Sequence, residues 1–441
     1  MGRNRVIYQS EALFIAPSST GTQVSGTSGP NASPSPFTAS NTGELASGIS
    51  LLKKMDRIQS CNFNFTVNRQ DINEFGKLAR IDSIVMEAPT VGLDFSYYVT
   101  DGYNERLMGF NITGVTDTNL VNNAQAISGL LSDQQGNNYY ILTVDEGEDV
   151  VGGLLTPSST IVGIGNGFIT EYAFEASVGA IPTASITVEA FNIKSDANDA
   201  PITISGTGSS LGGTIVTITG TSPAVDLLAQ PATKFTGVRQ AYKLDYSRNF
   251  TGAIGSNPGV NFTGFTTGNS TVSALRPGDI VLTLPTSQDG LTNLTDAHIQ
   301  SFSFTLPLSR TVLQRLGNTF GFARVIDVPI NMDLSISAIV SELRDQNLFD
   351  LLTTPSKRDF SILLKDSNGV NKIGYTIKGA IFQGESYSQG IGDNETVDIT
   401  YTVQIGGAND IENGLFMSGS YQNSLDAITS GFYKLGTAKI G

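Results

Sequence analysis

The segment RIQSCNFNFTVNR, which begins at Arg57, returns as HIQSFSFTLPLSR from His298 at an offset of 241 residues. A chain that repeats a segment so far downstream is constrained to fold the same element twice. At this offset Ile58, Gln59 and Ser60 fall on Ile299, Gln300 and Ser301. Phe63 then falls on Phe304, Phe65 on Leu306, Val67 on Leu308, Arg69 on Arg310 and Gly76 on Gly317. Apolar residues recur at every second position, with Asn62, Asn64 and Thr66 matched by Ser303, Thr305 and Pro307 between them. That period predicts a half-buried strand in each copy. Pro307 cannot donate to a ladder, which predicts that the second copy of the strand lies at an edge or is bulged there.

Further anchors follow in the same order. Leu93, Phe95, Tyr97 and Val99 match Leu334, Ile336, Ala338 and Val340, again an alternating strand. Leu107, Met108 and Phe110 match Leu348, Phe349 and Leu351 in SELRDQNLFDLLTT, the best helical stretch of the second copy. Ala79-Arg80-Ile81 matches Ala323-Arg324-Val325 three residues out of step, which predicts a small loop insertion. SITVEAFNI at 185–193 resembles TVDITYTVQI at 396–405, with Gly179 on Gly390 at an offset of 211. The first copy thus carries about 30 additional residues, placed within 111–165. The expectation is one mostly β domain present twice, over roughly 55–193 and 297–405.

VIYQSEALFIAP reads as a strand, with a counterpart in LRPGDIVLTLP at 275–285. Residues 16–54 form an arm rich in Ser, Thr, Gly and Pro, which reads as a flexible loop or as an arm that orders on a neighbouring subunit. The expected domains are 1–193, containing that arm, then a connector or small inserted β module over 194–274, then 275–441 with a C-terminal extension. Within the connector, ITISGTGSSLGGTIVTITGT predicts two strands around a Gly-rich turn.

With 40 acidic and 26 basic residues, the chain carries a formal charge of −14. That opposes stable nucleic-acid binding, which gains much of its free energy by neutralising phosphates, and suits a surface past which DNA moves without sticking. The lone cysteine cannot form an internal disulfide, which favours folding in a reducing compartment. MGRNRVIYQSEALFIAP has no long apolar run and no cleavage pattern, and Val6 stands where a myristoylation signal needs Ser or Thr. Neither secretion by a standard signal nor a membrane anchor is expected.

No residue set points to catalysis, a cofactor or a metal. His298, the single histidine, begins a strand where the first copy has Arg57. Cys61 aligns with Phe302 and shares the apolar face of Phe63 and Phe65, which predicts a core thiol. Gly208-Ser209-Ser210-Leu211-Gly212 fits G-x-S-x-G, but lies in a Gly/Ser turn between β-like runs instead of a strand-to-helix elbow. Gly163-Ile164-Gly165-Asn166-Gly167 lacks the full dinucleotide fingerprint and predicts a turn. Asp145, Glu146, Glu148 and Asp149 follow the strand YYILTV and align loosely with KDSNG at 365–369. They read as a solvated hairpin turn or a loop lining an acidic surface or lumen, with calcium as a third reading that lacks EF-hand spacing.

The stretch from Arg57 to Phe110, RIQSCNFNFTVNRQDINEFGKLARIDSIVMEAPTVGLDFSYYVTDGYNERLMGF, resembles the core segment of bacteriophage tail tube proteins, also called major tail proteins. The likeness covers about an eighth of the chain, and the second copy extends it to about two thirds. It implies two tandem antiparallel β-sandwich or barrel domains of tail-tube type, each with a flanking helix, plus β and loop insertions. It also implies a structural virion protein of the tail, assembled in the host cytoplasm. With two tube domains per chain, homotrimeric pseudo-hexameric rings would stack into a conduit for DNA ejection, and DNA would pass without specific binding. Tape measure, tail terminator and baseplate proteins are the partners the resemblance implies. The arm and the connector depart from the minimal family pattern. Alternative readings are another virion component, such as a decoration, baseplate or fibre protein, and a hydrolase using Ser210.

Overall fold

The computed structural model describes residues 11–17, 53–85, 90–114, 125–128, 130, 137–143, 160–190, 192–197, 275–283, 298–313, 323–339, 357–389, 394–407 and 410–420. The chain is mostly β. The first half contains β1 (Glu11–Pro17), β2 (Lys53–Lys54), β3 (Ile58–Thr66), β4 (Arg69–Ile72), β5 (Asp82–Val85) and β6 (Thr90–Tyr98). The short helix α1 (Tyr103–Leu107) follows, then β7 (Ile112–Gly114), β8 (Asn137–Thr143), β9 (Thr160–Ser177), β10 (Thr183–Ala190) and β11 (Asn192–Ala197). The second half contains β12 (Ile280–Thr283), β13 (His298–Pro307), β14 (Arg310–Leu313), β15 (Ala323–Ile326) and β16 (Ile330–Ile339). It ends with β17 (Arg358–Lys365), β18 (Asn371–Ser388), β19 (Thr396–Ile405) and β20 (Gly414–Gly419).

Four strands of each half make equivalent blocks. In the first half the order is β9-β10-β6-β3, and in the second it is β18-β19-β16-β13. Ser60 pairs with Ser96 and Thr66 with Thr90, while Ser301 pairs with Ser337 and Thr305 with Asp333, so both strands of these pairs keep the offset of 241. Each block is bulged at the same places. Gln59 and Gln300 are the extra residues at the starts of β3 and β13, and each donates its side-chain Nε2 to a carbonyl two residues back, on Arg57 and His298, at 3.1 Å. The repeated Ile-Gln-Ser is thus a bulge in which Gln satisfies a local acceptor. The second bulge sets the remaining offset: Thr187 pairs with Glu171 and Val188 with Ile169, as Thr400 pairs with Gly384 and Tyr401 with Phe382. In pairing terms Thr187 therefore corresponds to Thr400, two residues from the match expected from Gly179 and Gly390.

The long strands β9 and β18 each serve two sheets. Their C-terminal parts lie in the central sheet, and their N-terminal parts continue into flanking sheets built with β1, β2, β8 and β11, or with β7, β12, β17 and β20. Aromatic contacts show the layers closing on each other: Tyr139 of β8 lies 6.1 Å from Phe95 of β6, and Tyr375 of β18 lies 4.7 Å from Phe174 of β9. Alternation explains the burial, since Leu93, Phe95 and Tyr97 face inward from β6 as Met332, Leu334 and Ile336 do from β16. The halves are also stitched by parallel pairing of β20 with β7. Strands β1 and β12, matched in the sequence, occupy corresponding places against β8 and β17.

Several expectations are corrected. Gly163–Gly167 lies within β9 and is not a turn. A Cβ on Gly167 would come 2.8 Å from Val188 Cγ1 and 2.9 Å from Tyr139 Cε2, so glycine here permits close packing. The hairpins β4–β5 and β14–β15 keep the 241 offset, which aligns Arg324 with Ser83; Arg80 instead precedes β5 and pairs with Asp71 at 3.0 Å. Strand β13 is interior, between β9 and β16, and its Pro307 ends the strand beyond the last β16 pair. The path ends at β12 and at β3, so the copy of this strand that lies at an end is the first. The five-residue α1 is a helix of the first half, Ser128 and Leu130 are also helical, and the helical stretch SELRDQNLFDLLTT lies outside the described residues.

Candidate functional site

The two blocks meet where β13 pairs antiparallel with β9. Ser301 faces Ser177, Phe302 faces Ala176, Phe304 faces Phe174 and Leu306 faces Tyr172. The backbone continues the seam at both ends, with Val178 N–H donating to the Gln300 carbonyl at 2.8 Å and Leu308 N–H to the Thr170 carbonyl at 2.7 Å. The β14–β15 hairpin then folds onto the first half. Arg310 places its guanidinium 4.9 Å from the centre of the Phe168 ring, and buried Arg324 pairs with Glu189 at 3.0 Å. These contacts combine apolar burial, a cation over an aromatic face and an ion pair across one junction.

Beneath the seam lies a buried polar cluster. Helix α1 starts at Gly102, whose φ of 88° turns the chain inward, and delivers Glu105 into the core. Tyr97 donates its hydroxyl to Glu105 Oε1 at 2.8 Å, and Tyr172 donates to the same oxygen at 3.3 Å. The Tyr172 and Tyr375 hydroxyls lie 3.0 Å apart, which links the first half to the second. Loss of water raises the Glu105 carboxyl to about 7, partly offset by hydrogen bonds to its backbone and to Tyr97 and Tyr172. The tyrosines are pushed well above their ordinary range by the same desolvation. All four side chains are buried, and the cluster ties the two halves together beneath the seam. Inward-facing tyrosines on β6, β9 and β18 were its sequence signal, because a buried phenol needs a partner.

The outer ends of the two blocks differ from the seam. Among the described residues, β3 has one partner strand, β6, and residues 381–388 of β18 have one, β19. The consequence for β3 is exposure: Phe63 is 44% and Phe65 62% accessible, whereas their counterparts Phe304 and Leu306 are buried. On β18, Ile381 and Tyr387 are also exposed. The β4–β5 hairpin adds Ile72, Ile84 and Val85, and its tip carries Phe75 and Leu78 in full contact with solvent. Exposed apolar surface of this extent is of the kind that contacts with another molecule cover. Beside Ile381, an open cavity of about 650 Å³ is lined by Ile127, Ile330, Ile405, Lys357 and Asp410 among others.

Asp145, Glu146, Glu148, Asp149 and Ser210 lie outside the described residues, as do most of the arm and of the connector. The segment aligned with the acidic cluster forms the β17–β18 turn, where Asp366 Oδ1 accepts the Asn368 and Val370 N–H groups at 2.9 Å. Those bonds hold its carboxyl below the usual range. His298 is an exposed strand-start residue facing Ile339. Cys61 is half-buried where Phe302 is buried, since among the described residues β3 has one neighbouring strand and β13 has two; even so, burial pushes its thiol up to about 12. Among the described residues, no group of three or more His, Cys, Asp and Glu is placed to hold a metal ion, and no helix is long and apolar enough to cross a membrane.

No family model and no curated protein matches the chain. Among solved structures, a chain of the anti-feeding prophage baseplate, determined by cryo-EM with six-fold symmetry applied, is 12% identical, with 32% of this chain and 91% of that chain covered and a TM-score of 0.20. A likeness at that score has no bearing on fold or function.

Proposed function

We propose that the chain is a structural virion protein of a phage tail tube, with two tube domains that supply two of six positions in a ring. The observation that carries this reading is the head-to-tail seam: β13 of the second block pairs with β9 of the first, while the strands corresponding to them at the outer ends, β3 and residues 381–388 of β18, each have a single partner strand among the described residues. A contact between unlike surfaces of identical subunits generates rings when the rotation closes and filaments when it does not. Three chains then give six equivalent positions. Closure also covers the strand edges and the exposed apolar side chains of β3, which otherwise invite aggregation. The charge of −14 suits a conduit that repels the phosphate backbone. In this reading the rings stack through contacts with further copies, and the chain meets the tape measure, terminator and baseplate proteins at the ends of the tube.

Electron microscopy of the purified chain tests the proposal. The expected image is a hollow tube of stacked rings with three chains per ring. Rings of six full-length chains reject the duplicated-subunit arrangement. A persistently monomeric chain, or a solitary appendage present in few copies per particle, rejects the tube and favours a decoration, baseplate or fibre role.

A further inference from the structure

The internal seam dictates more than a general tendency to associate, because the bulges fix every residue equivalence. Strand β3 corresponds to β13 at an offset of 241 through the shared Gln59 and Gln300 bulge. The C-terminal part of β18 corresponds to that of β9 through the shared bulge at Gly384 and Glu171. Transferring the β13–β9 register onto the two outer edges places Cys61 opposite Gln389, Asn62 opposite Ser388 and Phe63 opposite Tyr387. It also places Asn64 opposite Ser386, Phe65 opposite Glu385 and Thr66 opposite Gly384.

The geometry points to β3 of one chain pairing antiparallel with residues 384–389 of a second copy of this chain, in that register, with Phe63 against Tyr387. This rests on the head-to-tail reading above and names its contact surface. The register was derived from backbone pairing alone, yet it brings together two exposed aromatic side chains, 44% and 39% accessible. Their counterparts in the seam, Phe304 and Phe174, stack at 5.3 Å. The positions between them are polar on both strands: Asn62 and Asn64 would face Ser388 and Ser386, all of which present small polar groups to solvent in the free chain. The hairpin completes the correspondence. Arg310 of β14 lies over Phe168, and the matching Arg69 of β4 would lie over Ile381, beside the open cavity. A second copy is the occupant because the contact is one the chain already makes with itself.

Cross-linking decides the register. In a full-length Cys61→Ser background, Asn64→Cys with Ser386→Cys puts the two sulfurs on directly opposite residues, within the Cα separation a disulfide requires. Mild oxidation should give a ladder of covalent multimers on a non-reducing gel. Asn64→Cys with Ser388→Cys, displaced by one diagonal, should cross-link at least tenfold more slowly. In parallel, Phe63→Lys should abolish assembly while the far-UV circular dichroism and thermal midpoint of the chain are kept, and Phe63→Tyr should assemble normally. Equal cross-linking by both pairs, no cross-linking by the matched pair, or normal assembly of Phe63→Lys overturns the inference. Tubes seen by microscopy without the matched cross-link sink this register and leave the tube reading intact. The matched cross-link in assemblies that are not tubes does the reverse.

Discussion

Phe304 of β13 stacks on Phe174 of β9 with ring centroids 5.3 Å apart and planes inclined by 25°, and Tyr375 closes on Phe304 at 5.4 Å. This aromatic group is the packed centre of the junction between the halves. Phe304→Ala should cost about 3–5 kcal/mol, seen as a lower urea midpoint of the unassembled chain. Phe63→Ala, at the matching position of the repeat, should cost less than about 1 kcal/mol in the same measurement because its ring already meets water. Equal losses would contradict the edge position of β3.

Glu105 makes stability depend on pH. Its carboxyl is raised from 4.5 to about 7 by burial, with Tyr97, Tyr172, Tyr375 and Asp101 as its polar surroundings. A folded value above the unfolded one means that the protonated form is favoured by folding. This contribution is therefore fully present below pH 4.5, declines as pH rises toward 7 and is absent above it. The span corresponds to roughly 3 kcal/mol. Glu105→Gln keeps an acceptor for Tyr97 and should flatten that part of a stability-against-pH curve; an unchanged curve would show that Glu105 does not titrate in this window.

Arg324 is nearly inaccessible, and its partner Glu189 is about one-third exposed. Glu189→Gln leaves a buried guanidinium without its counter-charge and should lower stability by about 1–3 kcal/mol. Adding Arg324→Met should recover much of that loss, since a buried pair replaced by apolar atoms is often close to neutral. A double variant no better than the single would mean that Arg324 acts through packing on Phe168 instead.

Cys61 should resist thiol reagents in the folded chain. With its thiol pushed up to about 12 from 9.0, the thiolate fraction at pH 8 falls on the order of a thousandfold. Absorbance assay with a disulfide reagent should show slow labelling of native protein and fast labelling in denaturant. Fast native labelling would place Cys61 in open solvent.

The repeat made much of the central sheet legible. Ile58 to Val99 and Ile299 to Val340 reveal two strands with a common spacing, and the pairing of β3 with β6 and β13 with β16 has that spacing. What periodicity could not reveal was the number of neighbours. Alternation shows that a strand has an apolar face, and β3 and β13 have almost the same one, but among the described residues β13 has a strand on each side and β3 on one. Pro307 pointed to the wrong edge because its missing N–H lies where the β16 ladder has already ended. Gly167 looked like a turn residue because the reason for it, the Tyr139 and Val188 side chains, is remote in sequence. Glu105 carried no local sign at all, since its acceptors and donors come from three strands and both halves.

The order of the strands along the chain also sets a timetable. Strand β9 is complete at Ser177, and its partner β13 does not begin until His298, about 120 residues later. At ribosomal speed that interval is roughly 6–25 s, far longer than hairpin formation. During synthesis β9 therefore offers an edge before its own chain can fill it, and β3 of a finished neighbour carries the repeated bulge, the same alternation and a ring at the Phe304 position. Polysomes crowd such chains together. Cys61, Asn62, Asn64 and Phe65 of β3 stand where β13 has Phe302, Ser303, Thr305 and Leu306, so the two strands that could meet that edge are similar but not identical.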